Sequence, residues 1–111
     1  FIKDRVIKII KNKNGIILET QSNKSIKGEI VINVSGPVSI VDNKNEIKFI
    51  SSLRKITKKF NNRGFSPNSN FMLEKDLYLP GTLSNNFNPG RETIIKAITK
   101  NAHKVAKHIL S

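Results

Sequence analysis

Leu77-Tyr78-Leu79-Pro80-Gly81-Thr82-Leu83-Ser84-Asn85-Asn86-Phe87-Asn88-Pro89-Gly90-Arg91, followed by an amphipathic segment to Leu110, decides how this chain is read. A short apolar strand, Leu77 to Leu79, stops at Pro80-Gly81, a polar loop follows, and a helix is expected to open at Asn88-Pro89-Gly90. Asn88 suits the N-cap and Pro89 the first helical position. That order brings the positive end of a helix and free backbone N–H groups to the end of a strand, where an anion or a polar cofactor binds. In the helix itself Ile94, Ile95, Ile98, Ala102, Val105, Ala106, Ile109 and Leu110 form an apolar stripe, with Lys96, Lys100, Lys104 and Lys107 mostly away from it. Lys104, Lys107 and His108 complement the negative end of the helix dipole.

A second strand end lies upstream. In Gly28-Glu29-Ile30-Val31-Ile32-Asn33-Val34-Ser35-Gly36-Pro37 the run Ile30 to Val34 reads as a strand buried on both faces of a parallel sheet. It ends at Ser35-Gly36-Pro37, where glycine permits a turn and proline forbids further ladder pairing. Ahead of it, residues 1–27 read as a β-meander: a strand over Phe1–Ile10, a turn at Lys11 to Gly15 with Asn-Gly as its strongest signal, a strand over Ile16–Thr20, and a short third strand at Ser25–Lys27. Val38 to Lys48 reads as loop. A helix is expected over 49–60, since Ile50, Leu53, Ile56, Thr57 and Phe60 share one face and Asn61-Asn62-Arg63-Gly64 supplies a stop. Phe71-Met72-Leu73 reads as a short strand before a turn at Glu74-Lys75-Asp76. The fold class is therefore α/β, with a β-meander at 1–27, a strand and turn at 28–37, a helix at 49–60 and a strand-loop-helix at 77–110, all read as one domain.

At 111 residues the chain is near the size at which a single core stands alone. No run approaches the roughly 18 apolar residues that span a bilayer, so no membrane partner is expected and a cytoplasmic setting is the reading. There is no cysteine, which removes disulfides, thiolate metal sites and cysteine nucleophiles. The formal net charge of +12 invites a nucleic-acid interpretation. Of the 20 basic residues, however, sixteen are lysines and four are arginines, Arg5, Arg54, Arg63 and Arg91. Specific nucleic-acid sites favour arginine, whose planar fork binds phosphate and guanine edges in pairs. The lysines are scattered along every segment, as on a solvated surface, and nucleic acid is not expected as the partner.

Catalytic constellations are scarce. No two carboxylates have spacing that suggests acid–base work. His103 and His108 are five residues apart, about 140° around a helix, and do not face one ion. No Gly-x-Ser-x-Gly, Gly-x-Gly-x-x-Gly or Gly-x-x-x-x-Gly-Lys-Ser/Thr occurs. No catalytic residue and no metal ligand is assigned.

The two strand-end turns in this order resemble the C-terminal part of FAD/NAD(P)-binding oxidoreductases with two dinucleotide-binding domains. Gly28 to Pro37 is similar to the family stretch Asp-hydrophobic-Val-Ile-Asn-Ala-Thr-Gly-Pro, and Leu77-Tyr78-Leu79-Pro80-Gly81-Thr82 to the later Leu-Tyr/Phe-Ala-hydrophobic-Gly-Asp/Pro. The helix from Asn88 resembles the one that ends the FAD domain. The resemblance implies FAD and NAD(P) as cofactors and a C-terminal fragment of that fold. It places Ser35, Gly36 and Pro37 near the meeting of the two dinucleotide folds, Gly81 and Thr82 beside the ribityl–pyrophosphate, and Asn88, Pro89 and Gly90 at the helix mouth. Thr82 stands where many members carry an aspartate. The strand–turn–helix with Gly-x-Gly-x-x-Gly that holds the FAD pyrophosphate is not in this sequence, so the expected partner is an N-terminal part of the same protein upstream of Phe1, without which the chain is inactive; the small-molecule substrate is not specified. The alternative from another class is a small basic α+β nucleic-acid-binding module, which needs exposed aromatics among clustered lysines. Phe49, Phe60, Phe65, Phe71 and Phe87 lie mostly among apolar residues instead, which favours core. A third reading is a structural domain that docks its apolar faces on a partner.

Overall fold

Alternating apolar and polar residues separated by sharp turns fold as the expected meander. Strands β1 (Val6–Asn12), β2 (Gly15–Thr20) and β3 (Ser25–Gly28) form an antiparallel sheet in the order β1-β2-β3. Asn12 pairs with Gly15 across the first turn. The Asn12 side-chain oxygen accepts from the Asn14 N–H at 2.9 Å, and Gly15 supplies a φ of 126° that a side chain would oppose. The computed structural model describes residues 3–34, 43–62 and 64–111, and the side chains of 43–47 lie outside that description. The contacts divide the chain into two compact units, Phe1–Ile30 with Val38–Lys58, and Val31–Pro37 with Lys59–Ser111.

In the first unit helix α1 (Asn43–Ile56) packs on β1. It begins six residues before the expected start at 49 and stops before Phe60. Ahead of Phe49 only Ile47 is apolar, so apolar spacing carries no trace of the first turns; residues 43–48 are helical where a loop was expected, and 38–42 lie outside the described residues. Leu53, Ile9 and Ile16 are essentially fully buried. Ser52 joins helix to strand: its hydroxyl accepts from the Ile9 N–H at 3.0 Å and donates to the Phe49 carbonyl at 2.6 Å. A strand N–H that would otherwise be buried without a partner is thereby satisfied.

The second unit contains β4 (Val31–Ile32), the hairpin β5 (Phe60–Asn61) and β6 (Gly64–Phe65), β7 (Met72–Glu74), β8 (Leu77–Tyr78) and helix α2 (Ile94–Leu110). Its main sheet has the order β4-β8-β7. β4 lies parallel to β8, with Val31 opposite Leu77 and Ile32 opposite Tyr78, while β7 and β8 form an antiparallel hairpin. Asp76 turns this hairpin at a φ of 64°, a region that aspartate tolerates. Phe71 holds a φ of 63° although it is bulky and buried. The Asn68 side-chain oxygen accepts from the N–H groups of Asn70 and Met72, and the Asn68 carbonyl accepts from Phe71, so the turn is fixed from both sides.

Four sequence expectations are corrected here. Ile30 to Val34 is not buried on both faces: β4 is two residues long and an edge strand, Ile32 is 41% exposed, and Ile30 and Val34 are more so. Only β8, the central strand, is covered as expected, with Leu77, Tyr78 and Leu79 all buried. Phe60 is not on a helix face; it is exposed in β5, its ring 5.9 Å from that of Phe65 directly across the hairpin, and this cross-strand aromatic pair prevails over helical spacing. Asn88 and Pro89 do not start α2. The Asn88 side chain accepts from the Gly90 N–H at 3.1 Å, Gly90 adopts a φ of 60°, and the helix begins at Ile94 with Thr93 as its cap. A glycine in the left-handed region makes a turn where a continuous first helical turn would need negative φ. Finally, the apolar stripe of α2 is narrower than expected. Ala97 and Val105 are buried, and Val105 joins Phe71 and Tyr78 in a core bordered by Met72 and Ile109. Ile95 is 79% and Leu110 85% exposed, because they lie about 80° and about 140° around the helix from Val105.

Leu53→Ala is expected to destabilise the first unit by about 2–5 kcal/mol, and Ser52→Ala by about 1–3 kcal/mol through the orphaned Ile9 N–H; urea unfolding of both variants checks this. A pH effect is also expected at Asp4. Hydrogen bonds from the Ser22 hydroxyl, then from Thr20, hold its carboxyl below the ordinary 3.8. A lowered folded pKa means that its contribution is complete above the ordinary value and is lost as pH falls through the folded one. Asp4→Asn should flatten the acid limb of the stability–pH curve below about pH 4 while leaving the neutral region nearly level.

Candidate functional site at the carboxyl end of the parallel strands

Parallel strands end on the same side, so β4 and β8 deliver their carboxyl ends together. The ladder runs from the Val31 N–H, which donates to the Asp76 carbonyl at 2.8 Å, to the Asn33 N–H, which donates to the Tyr78 carbonyl at 2.9 Å. Beyond β4 the expected turn Ser35-Gly36-Pro37 lies outside the described residues. Beyond β8 come Leu79, Pro80 and Gly81, all buried, and the half-buried Thr82. Pro80 offers no N–H to a ladder. Its carbonyl is taken by the Asn101 side-chain amide of α2 at 3.1 Å.

That contact orients the helix. The His108 ring lies 6.0 Å from the Tyr78 ring, and Asn101 meets Pro80, so α2 runs antiparallel to β8. The seven residues from Ile94 to Lys100, about 10 Å of helix, extend past Pro80. The N-terminal end of α2, with its positive dipole end, therefore points to the carboxyl-end side of the strand pair. Thr93 caps it, its hydroxyl accepting from the Lys96 N–H at 3.2 Å. Glu92 binds Lys100 at 3.0 Å.

The loop from Gly81 to Thr93 is tied down along its first half. The Ser84 N–H donates to the Gly81 carbonyl at 3.2 Å, Phe65 donates to the Leu83 carbonyl and the Asn85 N–H to the Phe65 carbonyl at 2.7 Å. The Asn85 amide reaches Asn61, the Gly64 carbonyl and Ser66, and the Asn86 amide reaches the carbonyls of Pro67 and Asn68. Gly64 makes the approach possible, since a Cβ on it would sit 2.8 Å from the Leu83 carbonyl oxygen at a φ of 150°. The β5–β6 hairpin thus acts as a clip that fixes where the chain goes after Gly81.

Of the residues expected from the sequence, Gly81 and Thr82 follow β8 at the start of the connecting loop, and Asn88, Pro89 and Gly90 belong to the same loop, ahead of the helix mouth that Thr93 forms. Asn101 and the Asn85–Asn86 clip escaped the sequence reading. A signal for Asn101 exists: it falls about 40° from Val105 on the buried side of an otherwise apolar stripe, where an amide needs a specific acceptor. The loop up to Thr93 carries Arg91 and a single acid, Glu92, whose carboxylate is paired with Lys100. With the helix dipole this makes an anion-attracting, positionally fixed strand end, suited to binding and orientation.

No protein-family model matches the chain, and no curated protein and no solved structure matches it.

Gly64→Ala is expected to destabilise by about 1–3 kcal/mol through the backbone clash and the disfavoured φ, and to open residues 81–87 to limited proteolysis. Asn101→Ala, at about 1–3 kcal/mol for the unpartnered Pro80 carbonyl, should lower the thermal midpoint without exposing that segment.

Proposed function

We propose that the chain is the C-terminal portion of a flavin-dependent oxidoreductase that uses NAD(P)H, in a cytoplasmic setting. The observation that carries this reading is the parallel pairing of β4 with β8, with α2 returning antiparallel so that its N-terminus reaches past the strands' carboxyl ends. Open α/β sheets bind dinucleotides at that edge. The residues after β8 suit an anion: Gly81 and Gly90, the Thr82 hydroxyl and the Arg91 guanidinium lie in this loop, and its one carboxylate, Glu92, is paired with Lys100. Gly81 would lie against the ribityl–pyrophosphate with the Thr82 hydroxyl beside it, and the turn Asn88-Pro89-Gly90 would lead the chain to the helix whose dipole favours negative charge on the flavin. Ser35, Gly36 and Pro37 would form the first strand-end turn, near the NAD(P) side. The flavin supplies the hydride chemistry when bound, and these residues hold and orient it. Among the described residues β4 is an edge strand, which leaves room in this reading for an N-terminal part of the same protein as partner, since parallel sheets are normally covered on both faces and extended by further strands.

The alternative, a basic nucleic-acid module, finds less support: Phe49, Phe65 and Phe71 are buried, leaving Phe60 as the exposed ring among these three and itself.

The test is to express the chain with its upstream coding sequence. A preceding strand–Gly-x-Gly-x-x-Gly–helix and a protein that purifies with flavin absorbance are expected, with Gly81→Val reducing flavin retention at least tenfold and the 111-residue chain alone retaining none. An upstream frame without that motif, or an extended protein that takes up no FAD on reconstitution, overturns the reading.

A further inference from the structure

Beyond its buried stripe, α2 shows an exposed side with a pattern of its own. At 100° per residue, Ile95, Thr99, Ala106 and Leu110 fall within about 60° of one another, and all are exposed. The Thr99 hydroxyl is turned back onto the Ile95 carbonyl at 2.9 Å. Next to this strip, its centre about 80° further round, Lys96, Lys100, His103 and Lys107 fall within another 60°, also exposed. The helix holds no aspartate or glutamate. A helix face that is merely solvated gains from oppositely charged residues three or four apart, whereas Lys96, Lys100 and Lys104 repel at that spacing. Glu92, before the helix, offsets part of this through Lys100. Lys104 turns to the Phe71 ring instead, 6.0 Å from its centre.

We propose that this side of α2 is a peripheral contact for an anionic phospholipid surface, with Ile95 and Leu110 entering the headgroup boundary and Lys96, Lys100 and Lys107 meeting the lipid charges. Adjacent aliphatic and lysine strips on one helix, with no acid between them, fit an interface that is apolar below and negative above. Lysine stems lie along apolar surface while the ammonium reaches the headgroups. A nucleic-acid backbone matches the charge but has no use for two exposed aliphatic side chains, and this face offers no arginine and, besides the His103 imidazole, no aromatic ring for base stacking. The contact is a surface one: among the described residues no helix is long and apolar enough to cross a membrane. It departs from the sequence-based expectation of no membrane partner, and it does not depend on the flavin reading, because the face lies on α2 itself and needs no cofactor.

Vesicle co-sedimentation of the full 111-residue chain tests it, with phosphatidylcholine vesicles against the same lipid containing roughly one-third phosphatidylserine. Binding is expected only to the anionic vesicles. Lys96→Gln with Lys107→Gln should weaken it about 25-fold, near fivefold per lysine, and Ile95→Ser with Leu110→Ser about tenfold or more at unchanged charge. Both pairs are exposed, and circular dichroism should show unaltered helix content. Equal binding to neutral vesicles, no binding to either, or anionic binding that Ile95→Ser with Leu110→Ser leaves unchanged overturns the proposal. So does displacement from vesicles by a short DNA or RNA duplex whose own affinity ignores the aliphatic substitutions, which would identify a nucleic-acid face.

Discussion

The second unit depends on one pairing, that of Val31–Ile32 with Leu77–Tyr78. These residues are 46 positions apart in the chain, and closing so long a loop has an entropic cost that two residue pairs do not offset alone. The offset comes from what β8 does on its other sides. β7 pairs with it antiparallel, the Tyr78 ring packs with Phe71 and Val105, and Asn101 secures the Pro80 carbonyl just past its end. β8 is thus the hub, and its fixed position determines both where β4 lies and which way α2 runs. The direction of α2 follows from contacts at two levels, His108 against Tyr78 and Asn101 against Pro80, and needs no further constraint.

The first unit is held by different physics. Its sheet is built from neighbours in sequence, with the first turn fixed by Asn12 and Gly15 and the second by Asn23, which holds a φ of 63° and donates its N–H to the Thr20 carbonyl, so little entropy is lost in long-range closure. The helix that covers it is joined by packing at Leu53 and by a polar bridge at Ser52. One hydroxyl both accepts from a strand and donates to its own helix, so helix and strand are set in register rather than merely pressed together.

The elements most legible in the sequence were those with strict periodicity and firm punctuation. The meander, the β7–β8 turn and the existence of α2 followed from alternation, from Asn-Gly and Lys-Asp turns, and from the 3.6-residue repeat. The strands near Val31 and Leu77 were legible as short apolar runs, but the parallel-sheet reading of Ile30 to Val34 rested on burial of both faces, which β4 does not have, and its pairing with β8 appears only in the structure. What escaped was decided by tertiary partners. The burial of β4 depends on a neighbouring strand that composition does not reveal. Phe60 fits a helix face by spacing, and only the ring of Phe65 across a hairpin draws it away. Asn88-Pro89-Gly90 has the letters of a helix start, yet the side chain of Asn88 closes a turn on Gly90 and hands the cap to Thr93. At the candidate site, the residues that end the strand were visible as letters; the clip formed by Asn85, Asn86 and Gly64 was not, since it joins positions about 20 residues apart through amide contacts that carry no local pattern.

The pairing of β4 with β8 also dictates an order of events. During synthesis the meander has all its partners within the first 30 residues, and it can assemble as soon as they emerge. β4 emerges next but has to wait for β8, which follows some 40 residues later. Throughout that interval a β-branched segment, Ile30-Val31-Ile32, lacks the partner that β8 supplies, and an unpaired strand edge is prone to pairing with another chain. Non-local pairings of this kind also form slowly. The second unit is therefore the slower half to complete, because it waits on a pairing of a kind that the first unit does not need.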